Sequence, residues 1–97
     1  MEELLNMIAV PFKYQSKDYC SLVRVKDKHK ATEFHVTIMN GDLERQFYGN
    51  HIYTYENGVL QAHSHFEDQE LSKLQEQIGW AIMDYLEQNS QKNGIVA

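Results

Sequence analysis

Three turn signals divide the middle of the chain. Asn40-Gly41-Asp42, Gly49-Asn50 and Asn57-Gly58 fall eight or nine residues apart. Asn and Gly tolerate the positive φ that tight hairpins demand, so turns at this spacing cut a chain into the short strands of a meander. The stretches between them, Thr32–Met39, Leu43–Tyr48, His51–Glu56 and Val59–Ala62, are rich in the Val, Ile, Thr, Phe and Tyr that strands favour. Upstream, Asp18–Lys26 predicts another strand, joined to Thr32 through the charged segment Asp27–Ala31. Ile8–Tyr14 predicts a first one. Pro11 cannot donate to a ladder, so that strand belongs at a sheet edge or begins there.

The period changes after Phe66. On a helical wheel Leu71, Leu74, Ile78, Ala81, Ile82, Tyr85 and Leu86 fall within ~140°, an apolar stripe wide enough to face a core. This predicts one amphipathic helix over residues 68–88. Glu67, Asp68 and Glu70 suit its positive N-terminal end, and Phe66 is placed to staple back onto Leu71. Residues 90–97 read as a flexible tail. The expected architecture is α+β: an antiparallel β-meander of five or six strands within residues 8–62, with one C-terminal amphipathic helix packed on one face. At 97 residues the chain fits a single domain, 1–97, with one thin core.

Charge and cysteine usage narrow the function classes. Nine Lys and Arg stand against 14 Asp and Glu, a formal charge of −5. Residues 1–45 carry seven of each sign, so the whole excess lies in residues 46–97, with two basic and seven acidic residues. A phosphate backbone needs a positive footprint, so nucleic acid is not an expected partner. The N-terminus opens with two acids rather than the basic region of a signal peptide. Its longest apolar run, Met7–Val10, is far short of the ~20 residues that cross a bilayer, so no membrane role is expected. Cys20 is the only cysteine, which rules out an intrachain disulfide and fits a reduced, cytoplasmic setting.

Several small constellations stand out, each with a bland counterpart. His63 and His65 are two residues apart, so on a strand both imidazoles point the same way and form a candidate metal pair with Glu67 or Asp68. The counterpart is a pair of solvated histidines where a strand runs into a helix. Cys20 with His35 or His51 is a conceivable thiolate–imidazole pair, but no nucleophile turn or oxyanion nest accompanies it. Arg24, Lys26, Lys28 and Lys30 recur at every second position, a candidate basic patch along one edge. Charged hairpin tips also serve simply to keep sheet edges apart. In the later strand His51, Tyr53 and Tyr55 share a face opposite Ile52, Thr54 and Glu56, which offers a His/Tyr surface if the helix covers the other side.

Trp80 is the residue that monomer packing explains least. It falls opposite the Leu/Ile stripe, with Gly79 and Met83 beside it. Gly in a helix interior costs ~1 kcal/mol against Ala, which points to a close approach there. Trp is favoured at interface centres, so Gly79, Trp80, Met83, Tyr53 and Tyr55 are the candidate interface residues. The counterpart is an N-terminal segment folded over the ring.

The sequence carries no catalytic or cofactor fingerprint. The expected function is that of a small non-enzymatic intracellular interaction module that self-associates as a homodimer, with no cofactor. The alternative is a metal- or small-ligand-binding protein using His63 and His65 or the exposed His/Tyr sheet face.

Overall fold

A computed structural model of the chain describes residues 6–47 and 51–94. The strands are β1 (Asn6–Tyr14), β2 (Lys17–Asp27), β3 (Thr32–Ile38), β4 (Ile52–Glu56) and β5 (Val59–Ala62), with helix α1 (Gly41–Phe47) between β3 and β4 and α2 (Gln69–Gly94) at the end. The strands form one antiparallel sheet in chain order, β1-β2-β3-β4-β5, the expected meander. β1, which carries Pro11, lies at an edge as its missing N–H requires.

Alternation sorts the side chains onto two faces. Val10, Phe12, Val23, Phe34, Val36, Ile38 and Tyr53 are buried on the face that meets α2, and Leu74, Ile78 and Ile82 of the helix close over them. Leu71 and Tyr85 flank that contact, half-buried. Ser21 shares the layer, fully buried, and donates its hydroxyl to Val10 O at 3.0 Å. A buried hydroxyl with a partner is tolerated where an orphan would cost ~1–3 kcal/mol.

The segment Leu43–Tyr48 does not form the expected strand. Its described part belongs to α1, and Tyr48 with the Gly49-Asn50 turn lies outside the described residues. The cap decides it. Asn40 Oδ1 accepts the Leu43 N–H at 3.1 Å, and Asn40 O accepts the Glu44 N–H at 2.9 Å. Asp42 and Glu44 sit in the positive first turn and Arg45 in the last. Helical spacing also separates the side chains better. Leu43 and Phe47 point inward four residues apart while Arg45 stays in water, whereas a strand would have put all three on one face. Among the described residues the sheet therefore has five strands.

α2 begins where expected. Asp68 Oδ1 accepts the N–H groups of Glu70 at 2.8 Å and Leu71 at 3.1 Å, an N-cap. Phe66 packs at the core margin and stacks on Phe47, ring centroids 5.6 Å apart. At its other end α2 continues to Gly94 rather than stopping at Gln88, so most of the stretch read as a tail is helical; residues 95–97 lie outside the described residues. Replacing Ile78 with Ala should cost ~2–5 kcal/mol, because it empties a fully enclosed site between helix and sheet. Urea unfolding followed by dichroism reads this directly, and a loss under ~1 kcal/mol would mean the helix does not seat there.

Candidate functional site

Tyr53 joins helix to sheet. It is 3% exposed, on β4, and donates its hydroxyl to Gln75 O at 2.7 Å. Burial pushes that hydroxyl well above the ordinary phenol range. On β1, Tyr14 donates to Glu70 O at 3.0 Å, and Gln15 Nε2 reaches Glu70 Oε1 at 3.1 Å. Gln75 Nε2 in turn donates to Ser64 O at 2.9 Å, fixing the connection from β5 to α2. The first half of α2 is thus held from both sides of the sheet.

Beside this anchor lies a groove of about 460 Å³ between α2 and the free edge of β5. Val59 and Leu60 of β5 line one wall; Gly79, Trp80 and Met83 line the other. His65, Ser72, Gln75 and Glu76 complete it. Trp80 is 59% exposed at the mouth of this groove, whereas the exposed side chain of Val59 shares the open face with Thr54 and Gln61. Gly79 sits against Tyr53: a Cβ there would lie 3.4 Å from Tyr53 Cε2 and 3.9 Å from Leu60 Cδ2. These are ordinary contact distances, so the packing of the chain itself leaves room for a methyl group at position 79. On its far side Trp80 borders a second hollow with Tyr14, Gln15, Lys73 and Gln77. The segment expected to cover the ring in a monomer includes residues 1–5, which lie outside the described residues.

Tyr53 and Tyr55 are not on the open face of the sheet. Both take the parity of Phe34 and point toward the helix, Tyr53 buried and Tyr55 half-buried. Pairing of Phe34 with Tyr53 sets this register, and the apolar side of β3 carries the tyrosines inward with it. Around β3 and β4 the open face holds Arg24, Lys26, Glu33, His35, Ile52, Thr54 and Gln61, and along β1 and β2 it holds Met7, Ala9, Pro11 and Leu22, so His51, Tyr53 and Tyr55 do not form the expected surface there.

The histidine pair also separates. β5 ends at Ala62, so His63 and His65 do not share a regular strand. His63 Nε2 pairs with Thr54 Oγ1 on the outer face, while His65 lines the groove on the helix side. No group of three or more His, Cys, Asp or Glu placed to hold a metal occurs among the described residues. The basic row breaks as well. Arg24 and Lys26 lie on β2, an inner strand, whereas Lys28 and Lys30 are in the turn that follows. The turn closes through Lys28 N–H to Ala31 O at 2.7 Å, and Lys28 Nζ approaches Glu33 at 4.0 Å. Cys20, half-buried opposite Pro11, is four positions along β2 from Arg24, the partner of His35. That spacing keeps thiol and imidazole apart, and His51 falls on the other face with Tyr53.

The sequence did not single out β5 as a wall of the groove. The signal was available: the last strand of a meander has a free edge, and Val59–Ala62 carries no charge to guard it. Comparison with protein families, with characterised proteins and with solved structures finds no match. No helix among the described residues is long and apolar enough to cross a membrane.

Two outcomes follow from this geometry. A Cβ at position 79 makes an ordinary contact, so Gly79→Ala should raise stability by ~0.5–1 kcal/mol through helix propensity when measured in a Trp80→Ala background. Destabilisation in urea would show that Tyr53 cannot yield. On the open face, the hydrogen bond from His35, 3.0 Å away, holds the Glu33 carboxyl below its ordinary range, with the charges of Lys28 and His63 assisting and burial opposing. A lowered folded pKa gives stability that is present above the unfolded value of about 4.3 and is lost as pH falls through the folded one. Acid unfolding of Glu33→Gln should therefore be shallower below about pH 4.3 than that of the parent. Superimposable acid limbs would remove Glu33 from the account.

Proposed function

We propose that this chain is a small, non-enzymatic intracellular interaction module that self-associates as a homodimer through the groove between β5 and α2. The observation that carries the reading is Trp80, exposed at the mouth of that groove, which Leu60, Ala62 and Met83 also line. A Trp side chain can bury ~150–250 Å², and leaving it in water forgoes a large hydrophobic gain. Apolar residues scattered singly on a surface need no explanation, but a contiguous set along a groove is characteristic of contact sites. A two-fold interface satisfies such a set economically, since one patch serves both copies. The −5 charge, concentrated in the second half, opposes association at long range, so salt should strengthen it.

Light scattering and sedimentation at micromolar concentration test this. The parent should have the mass of two chains, and Trp80→Ala should have the mass of one with an unchanged far-UV spectrum. A monomeric parent with buried, blue-shifted Trp emission would overturn the reading.

A further inference from the structure

Among the described residues the meander leaves two open edges, and only one of them is guarded. β1 carries Pro11, which has no N–H, and the exposed Lys13. β5 is Val-Leu-Gln-Ala, with neither a charge nor a proline. Its bonding phase follows from the ladder. His63 N–H donates to Ile52 O at 2.9 Å, and bonded pairs alternate along an antiparallel ladder. Gln61 with Thr54 and Val59 with Glu56 are therefore the bonded pairs, so the N–H and C=O groups of Leu60 and Ala62 point away from β4 to the open edge.

We propose that two copies pair antiparallel through β5, with Gln61 on the two-fold axis, joining the two sheets into one. This deepens the self-association reading and rests on it. The register is chosen by the edge itself. Centring on Gln61 places Leu60 opposite Ala62 of the second copy and satisfies every free N–H and C=O of both residues, with four hydrogen bonds in all. Centring on Leu60 or on Ala62 pairs only half of them. On the inner side a large residue then meets a small one, and on the outer side the two neutral Gln61 amides meet each other.

The helices favour a second copy as occupant. Gly79 lies level with Leu60, so α2 of each copy passes close to the axis. Antiparallel strands carry antiparallel helices. Along the stripe lining the groove, Gly79 then faces Trp80 of the second copy and Glu76 faces Met83. The acid on this stripe does not meet its own counterpart, and the indole lies over a residue with no side chain. Two acidic chains can approach here without opposing like charges at the contact.

The test is Gln61→Cys in a Cys20→Ser background. A non-bonded antiparallel pair sets its Cα atoms ~4.5 Å apart, inside the disulfide window, so mild oxidation should give a covalent dimer in high yield. Val59→Cys in the same background, exposed on the same face but off the axis, should cross-link little. Ala62→Pro removes an N–H that the β4 ladder does not use, and should weaken the dimer roughly ten-fold or more with the fold kept. Equal cross-linking at positions 59 and 61 in a chain that still sizes as a dimer would overturn β5 pairing and leave the Trp80 contact standing. A monomer in every assay would overturn both and leave this edge to a foreign strand.

Discussion

Burial of Tyr53 is the constraint on which the rest of the arrangement depends. A phenol enclosed between helix and sheet needs a partner for its hydroxyl, and within reach that partner is the carbonyl of Gln75. Meeting it draws α2 down until position 79 has space for a methyl group and little more. Seating the helix at that depth lets Leu74, Ile78 and Ile82 fill the layer above Phe34 and Val36. The same rotation turns Trp80 outward beside β5. Anchor and exposed surface are two results of one helix orientation.

Sidedness explains why the tyrosines of β4 are not on the open face. Each strand sends alternate residues to opposite faces, and cross-strand pairing locks the faces of neighbours together. Once Phe34 is inside, Tyr53 must be inside and Thr54 outside. The outer groups then satisfy one another: Glu33 with His35, Thr54 with His63, and Lys28 near Glu33. These are local pairs on the β3–β4 part of the face, each worth little alone.

What was legible in the sequence followed signals with a single physical meaning. The Asn57-Gly58 hairpin forms because both residues take positive φ, at 56° and 80°. The stripe from Leu71 to Leu86 buries as its period required, and Pro11 lies on an edge. The rest turned on competition between signals. Leu43–Phe47 has strand-like apolar spacing only if Arg45 is ignored; the Asn40 cap and the four-residue interval favour a helix. The β1–β2 turn gave no Asn or Gly to read, yet Gln15 and Ser16 both adopt positive φ, at 53° and 64°, where tertiary contacts such as Gln15 with Glu70 help to hold them. The face of Tyr53 depended on pairing with β3, which is a long-range fact. His63 and His65 share a spacing but not a strand, so proximity in sequence gave no convergence in space.

Gly79 and Trp80 together say more than either alone. A glycine inside a helix is usually explained by something that leaves no room for a side chain. Here the Tyr53 ring would meet a Cβ at an ordinary contact distance, so the fold of one chain does not demand glycine at this position. Keeping it costs α2 ~1 kcal/mol in propensity. The neighbouring residue is the largest available and stands in water. Both choices are unfavourable for an isolated monomer, and both become favourable if the indole of one copy lies over the bare backbone of the other. The open β5 edge, level with Gly79, supplies the hydrogen bonds that would hold two copies in that position.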